Sequence, residues 1–349
     1  TLMKRFAFIN HPIDTNEFKM NYPAARYLPG ILLKQILKYS PPFKSAELMI
    51  RFDELNCKGW SVTCPITETQ IIGSSERLVQ KKFFKALKAA QKLGAEVIGI
   101  GGCISSALGS KEIIMAERPE IRITFGHNYS ILAAVEGAKL AAAARGNDMD
   151  QVTVTVLGAT GRTGSVCAAI LAREVKNLIL ADDNKVKLRQ MTNTILYDTG
   201  LPVKAATSIK RALNLSDIVF VSVASSVREI RPEDFKTGAV VCFVRGAGIS
   251  VEDLLILRSL QDIAVSRNDL KIIDGGLVEV PGISGFSSEL QLPSGMVYPW
   301  MAETLILTLG KNRCRPAANE STAIGTIDAL KVMARSYGFR VAGFSEVAG

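Results

Sequence analysis

Gly158, Gly161 and Gly164 break the run VTVLGATGRTGSVCAAIL (residues 154–171), where a continuous apolar stretch stops at the first glycine and restarts with helical spacing. A strand, a glycine-rich loop and a helix in that order can seat a pyrophosphate. The first glycine permits a tight turn, the second lets backbone approach the phosphates, and the third lets the helix pack close to the strand. The loop Gly158, Ala159, Thr160, Gly161, Arg162, Thr163 and Gly164 then presents N–H groups at a helix start, where the dipole favours negative charge. That chemistry is dinucleotide binding.

The next apolar run, NLILADD, ends at Asp182 and Asp183, eighteen and nineteen residues after Gly164. A carboxylate there can accept hydrogen bonds from an adenosine ribose and repel a 2′-phosphate, which favours NAD over NADP. Lys185, Lys187 and Arg189 follow closely enough to reach a phosphate, so NADP stays open, and Asp182 can equally serve as a helix cap. Ala224, Ser225, Gly246 and Gly275 follow later apolar runs. Small residues at carboxyl ends of strands line the cofactor crevice in sheets of this kind.

These motifs need an α/β frame, and the pattern supplies one. Apolar runs near 152–157, 177–182, 203, 217–224, 239–244 and 270–274 alternate with amphipathic segments at 162–175 and 185–197. Several runs are unbroken Val, Ile, Leu and Phe, as expected where helices cover both faces of a sheet. The expectation is a Rossmann-type doubly wound parallel sheet over residues 129–295, entered by a bridging helix, YSILAAVEGAKLAAAAR. Residues 1–128 show their own alternation (RFAFIN, AELMIRF, GWSVTCP, AEVIGIGG, IRITFG), the pattern of an N-terminal α/β substrate domain. Residues 296–349 return to helical periodicity and are expected to pack back on that first domain, closing a cleft between the two.

The totals narrow the class. With 48% hydrophobic and 21% charged residues, the chain has a globular balance. No apolar run reaches the roughly 20 residues that span a bilayer, and the first residues do not read as a signal peptide, so the expected location is the cytoplasm. Six cysteines stand singly, and the two histidines, His11 and His127, have no clustered partners, so neither a disulfide frame nor a zinc site is expected. Much of the net charge of +9 lies on LVQKKFFKALKAAQKLG, where Lys81, Lys82, Lys85, Lys88 and Lys92 interleave with apolar residues at helical spacing. They read as a solvated face, or as a docking surface for an acyl carrier protein or coenzyme A; no nucleic-acid motif accompanies them.

Five ordered segments, GIGGCISSALG, TFGHNYSILAAVEGAK, VTVLGATGRTGSVCAAIL, IIDGGLVEVPG and MAETLIL, together resemble the long-chain acyl-(acyl-carrier-protein) reductases. INHPI and GWSVTCPIT, with the same two-domain order, resemble the shikimate dehydrogenases. Both resemblances imply an NAD(P)-dependent oxidoreductase. The first implies a nucleophilic cysteine three residues before Glu303, where this chain has Trp300. The second implies a lysine where this chain has Thr67, and an aspartate near Asn128 to Ile131, where there is none.

Hydride transfer at a carbonyl or hydroxyl carbon needs a proton donor or base near the oxygen. His127, on a Gly-flanked turn, suits proton exchange near neutrality, although a histidine there can simply cap the helix. Tyr129 and Glu279 are further candidates, with Thr63, Thr67, Ser105 and Asn128 as substrate contacts and Trp300, beside Glu303, as an apolar wall or a core residue. Cys103, at the end of a strand-like run, is either a relocated thioester nucleophile or a small buried residue. Three readings follow: a dehydrogenase or reductase acting without a thioester on a small molecule, an acyl-thioester reductase serving an acyl substrate, and a non-catalytic dinucleotide sensor.

Overall fold

The apolar runs form two sheets in the computed structural model, which describes residues 3–52, 55–106, 108, 121–222, 230–244, 251–284, 292–310 and 323–346. The amino-terminal part contributes β1 (Lys4–Asn10), β2 (Phe43–Phe52), β3 (Leu55–Thr63), β4 (Val97–Ile100) and β5 (Arg122–Thr124). The central part contributes β6 (Thr153–Leu157), β7 (Asn177–Ala181), β8 (Lys204–Ala205), β9 (Ile218–Val221), β10 (Val240–Phe243) and β11 (Lys271–Glu279). Three short strands follow: β12 (Ile283–Ser284), β13 (Met296–Val297) and β14 (Arg340–Glu346).

The central sheet runs β8-β7-β6-β9-β10-β11, all parallel, with β13 and β14 added antiparallel to β11. The order reverses between β6 and β9, which makes their carboxyl ends a topological switch point. Successive residues serve opposite faces: Ile218 and Phe220 enter one core, Val219 and Val221 another. Burial on both faces is why these strands read as unbroken apolar runs. The expected doubly wound parallel sheet is therefore present.

The first sheet runs β12-β2-β3-β1-β4-β5. Its strands β3, β1, β4 and β5 are parallel, so the carboxyl ends of β1, β3 and β4 share one edge. Phe6 and Phe8 of β1 face the core that also holds Val154, Val156 and Phe220, whereas Ala7 and Ile9 face a separate core under the helix Glu76–Lys92. One continuous apolar core thus joins the two sheets.

The bridging helix, His127–Ala144, runs through that junction. It is buried almost all round, with Ala133, Ala134, Gly137, Ala138, Ala141 and Ala142 letting its neighbours approach closely. Its neighbours include β11, β10 and the helices Arg162–Leu171, Pro299–Leu309 and Ala323–Ser336. Lys331 of the last helix pairs with Glu174 at 3.1 Å and Glu136 at 3.3 Å, and Lys139 pairs with Glu174 at 3.1 Å.

The carboxyl-terminal part departs from the expected return to the first domain. The helix Pro299–Leu309 packs on β1 and β4, but Ala323–Ser336 packs on the bridging helix and on Arg162–Leu171. β14 extends the central sheet, while β12 crosses to pair with β2, Ile283 opposite Ile50. An edge of β11 left bare would expose unpaired backbone, and β14 covers it.

Lys82 also departs from the reading. Lys81, Lys85, Lys88 and Lys92 are exposed, but Lys82 is buried and its ammonium donates to the carbonyls of Leu37 (2.8 Å), Ser40 (3.0 Å) and Pro65 (2.9 Å). It lies on the apolar side of its helix beside Val79 and Phe83, so helical spacing alone assigned it to the wrong face. Replacing this ammonium leaves three carbonyls without their donor. Lys82→Met is expected to lower stability by about 1–3 kcal/mol, measured by denaturant unfolding, whereas Lys85→Met on the exposed face should change it little.

Candidate functional site

The glycine loop leaves β6 at Leu157 and turns at once. Gly158 takes φ +77°, and the N–H groups of Gly158 and Ala159 donate to the Ala181 carbonyl at 2.9 and 3.2 Å, locking the turn to the end of β7. Gly161 is the N-cap of Arg162–Leu171, and no side chain caps that helix. Gly164 faces the Gly158 carbonyl so closely that any β-carbon would overlap that oxygen and crowd Ser222 Oγ. The loop therefore keeps its helix start open to an anion, and the residues fit a pyrophosphate.

Asp182 does something the sequence reading did not assign. Its carboxylate accepts N–H bonds from Thr160 (2.9 Å) and Asn184 (3.0 Å), tying the glycine loop to the end of β7. The cap of the next helix is Asn184, whose side chain accepts from the Lys187 N–H at 3.0 Å, so Asp182 is not that cap. Asp183 is exposed beside it. Lys185 is exposed, and its ammonium donates to the carbonyls of Asp182 (2.9 Å) and Ala206 (3.4 Å). Ala224, Ser225 and Gly246 lie outside the described residues, whereas Gly275, with φ +68°, lines the adjoining cavity.

That cavity, of about 350 Å³, lies between the sheets. One wall is the carboxyl edge of the first sheet, through Asn10 to Ile13 after β1, Thr63 ending β3, and Ile100 to Gly102 after β4. The opposite wall is Asp274, Gly275 and Gly276 of β11. Trp300 closes a side: its ring packs edge-on to Phe8 at 5.5 Å and covers Gly101. A hydrogen-bonded row runs from Thr63 Oγ1 to Asn10 Oδ1 (3.2 Å), then from Asn10 Nδ2 to Ser61 Oγ (3.1 Å), which in turn accepts from Ser45 Oγ (2.9 Å).

His11 is the histidine on this wall, a position that motif and spacing do not single out. Its Nε2 accepts the Cys103 N–H at 2.9 Å, and its Nδ1 lies 3.1 Å from the Pro12 carbonyl, which only a donor can satisfy. The ring is thus held in one neutral tautomer, and burial pulls its pKa down from 6.5 to about 4. Its place at the carboxyl end of the first strand was the available signal. The fold also gathers His11, Glu68 and Cys103, their ligand atoms within 4.8 Å of one another, from positions too distant in sequence to read as a cluster. The His11 Nε2 lone pair is already engaged by the Cys103 N–H, and the Cys103 thiol is buried behind the lining groups His11 and Glu68.

Other candidates hold the frame instead. His127 opens the bridging helix and is not among the described lining residues. Tyr129 is 3% exposed, and burial pushes its hydroxyl up to about 12, out of reach of proton exchange near neutrality. Thr67 caps the helix Glu68–Ile72 in a reciprocal box with Gln70. Glu279 pairs with Arg340 across β11 and β14, which holds its carboxyl below the ordinary value. Asn128 lends its backbone N–H to Glu303 rather than a side chain to the cavity. The side chain of Ser105 lies outside the described residues.

Glu303 itself is buried at 2% exposure. It accepts from Thr124 Oγ1, from the Tyr129 N–H at 2.8 Å and from the Asn128 N–H. The N-cap of the bridging helix is Gly126, in the left-handed region at φ +68°, and it has no side chain to cap with. Glu303 caps that helix from another element. Burial raises its carboxyl pKa, and the three hydrogen bonds work against that rise.

No protein-family model matches the chain, and no curated protein does. Solved structures similar to it include a quinate dehydrogenase from Corynebacterium glutamicum in complex with NAD, at 12% identity and a TM-score of 0.40, covering 94% of this chain and 99% of that one. A shikimate 5-dehydrogenase from Listeria monocytogenes in complex with shikimate and NAD is similar at 10% identity and a TM-score of 0.38, covering 95% and 96%. An L-tryptophan dehydrogenase from Nostoc punctiforme is similar at 12% identity and a TM-score of 0.38, covering 99% and 84%. Likeness this remote carries no argument about chemistry, which rests on the geometry above.

The contact at Gly164 can be tested directly. Gly164→Ala forces the helix away from the Gly158 carbonyl and is expected to destabilise the chain by about 1–3 kcal/mol in denaturant unfolding. Ser165→Ala, one residue on, should stay within about 0.5 kcal/mol of the parent.

Proposed function

We propose that the chain is an NAD(P)-dependent oxidoreductase acting on the carbonyl or hydroxyl carbon of a small molecule, without a cysteine thioester. The observation that carries this reading is the uncapped glycine loop at the β6–β9 switch point, with the cavity opening beside β11 on the far side of that switch point. A bound dinucleotide would supply the hydride acceptor or donor; Gly158 to Gly164 would hold its pyrophosphate.

This chain's own residues then have to orient the substrate and handle a proton. Asn10 keeps one amide proton for the reacting oxygen, while the Thr63 and Ser130 hydroxyls, whose protons go to Asn10 Oδ1 and the Gly126 carbonyl, can accept from a substrate hydroxyl. His11 is held neutral at neutral pH, so proton exchange falls to the lining carboxylates. Asp274, on β11, is the one on the central sheet, and it is assigned as the proton acceptor.

NAD is preferred over NADP. Asp183 presents an exposed carboxylate beside the loop, and the Lys185 ammonium is held by two carbonyls rather than facing a 2′-phosphate. What weighs against thioester chemistry is Trp300 on the cavity wall where the resemblance implies a nucleophile. Exposed Lys81, Lys85, Lys88 and Lys92 serve as a solvated face in this reading rather than an acyl-carrier dock.

Fluorescence titration with NADH and NADPH tests the reading. Saturable binding is expected, tighter for NADH, and binding of neither would overturn it. Asp274→Asn is expected to keep NADH binding and lower kcat by about 10²–10⁴-fold on a turned-over substrate. Tight cofactor binding with no turnover of any alcohol or carbonyl would instead favour a dinucleotide sensor.

A further inference from the structure

The helix Gly30–Tyr39 buries Leu33 and Leu37, which join Ala25 in a small core of their own, with Phe18, Tyr22 and Leu28 packed against it. Helical spacing turns Ile31, Gln35 and Tyr39 the opposite way, with Leu32 and Ile36 along one side and Lys34 and Lys38 along the other. The outward side of such a helix is where polar residues belong, yet apart from Gln35 it is apolar or aromatic. Ile31 is 82% exposed, Tyr39 78%, Leu32 48% and Ile36 42%. Tyr27, in the turn before the helix, is 92% exposed. Single exposed apolar residues are ordinary, but an outward stripe of them marks a contact surface.

The charge around the stripe has one sign. From Phe18 to Ala46 the chain has Lys19, Arg26, Lys34, Lys38 and Lys44, and no acidic residue. Asp14 and Glu17, which precede this stretch, accept backbone N–H groups from Asn16, Glu17 and Ile13. Glu47, which follows it, pairs with Lys44 at 3.4 Å and with Lys58 at 2.6 Å. The Lys38 ammonium lies 6.0 Å from the Tyr39 ring centroid, so cation and aromatic reach outward together.

We infer that the helix Gly30–Tyr39 docks this protein on an anionic phospholipid surface, with Ile31, Leu32, Ile36 and Tyr39 entering the interface and Lys34 and Lys38 against the lipid phosphates. A helix lying in the plane of a bilayer needs an apolar side for the acyl boundary and basic residues for the headgroups. Tyrosines suit the level between the two, because one end of the ring is apolar and the other wet. The net charge of +9 adds long-range attraction to the same surface. A second copy of this chain fits the stripe less well, since it would bring the same basic residues toward one another. The inference goes beyond the oxidoreductase reading and does not depend on it. Phe18 and Tyr22, on the inner side of the same helical unit, line the cavity, so docking brings the cavity within one helical layer of the bilayer.

The test is co-sedimentation of the full chain with vesicles of phosphatidylcholine alone and of phosphatidylcholine with about one-third phosphatidylglycerol. Binding is expected on the anionic vesicles, stronger by about tenfold or more than on the neutral ones, and weakening as salt rises. Ile31→Ser with Ile36→Ser is expected to lower the partition about tenfold or more. Lys34→Gln with Lys38→Gln is expected to lower it by a similar factor and to flatten the salt dependence. Val186→Ser, at a position 71% exposed on the helix Lys185–Thr199, should leave it unchanged. Unfolding midpoints equal to the parent's check that the variants fold.

No binding to either vesicle would overturn the inference, as would equal binding to both compositions or binding that persists in both double variants. So would a dimer in sedimentation velocity that the paired isoleucine variant dissolves, since a second copy would then be the occupant of the stripe.

Discussion

A single buried carboxylate holds the two halves of this molecule in register. Glu303, on the helix Pro299–Leu309, takes a hydroxyl from Thr124 at the end of β5 and two backbone N–H groups from the start of the bridging helix. A carboxyl group at 2% exposure is tolerable only when such donors surround it, since burying it without partners is costly. The donors come from two separate elements, β5 and the bridging helix, so satisfying this carboxyl group fixes both against the helix Pro299–Leu309. The Gly126 N–H adds a bond to Thr124 Oγ1 at 3.0 Å, and Gly126 sits directly against the Trp300 backbone, where a side chain would not fit.

That fixation carries the cavity with it. Trp300 lies one turn before Glu303 on the same helix, so anchoring Glu303 places the indole over Gly101 and against Phe8. The bridging helix starts at the same knot and runs along β11, whose Asp274 to Gly276 form the facing wall. The volume between the sheets is therefore set by packing through one shared core, and its charge by whichever side chains the carboxyl edges of β1, β4 and β11 happen to present.

The parts legible in the sequence share a physical cause: they are local. Strands buried on both faces must be unbroken apolar runs, so β6 and β10 stood out within a residue of their bounds, and β9 at its start. The glycine loop was legible because turn, close approach and helix start each demand glycine at adjacent positions, and Gly164 meets the Gly158 carbonyl as that pattern requires. Lys82 was misread because its helical position is ambiguous at the edge of the apolar stripe, and its three carbonyl acceptors come from residues 17 to 45 positions away.

The catalytic candidates fared differently. His127, Tyr129, Glu279 and Thr67 were chosen for residue type and for a loop or strand-end setting, and each proves to belong to a helix start, a core, a surface ion pair or a cap. By itself the sequence determined two α/β units, a doubly wound sheet and a seat for pyrophosphate, because periodicity and backbone sterics act over a few residues. Tertiary structure alone decided that His11, Glu68 and Asp274 share one cavity with Trp300, since hydrogen bonds and burial between residues 11, 68, 274 and 300 leave no trace in local spacing. It also turned Glu303 from a pocket residue into a helix cap, because a carboxyl group buried that deeply goes where the donors are.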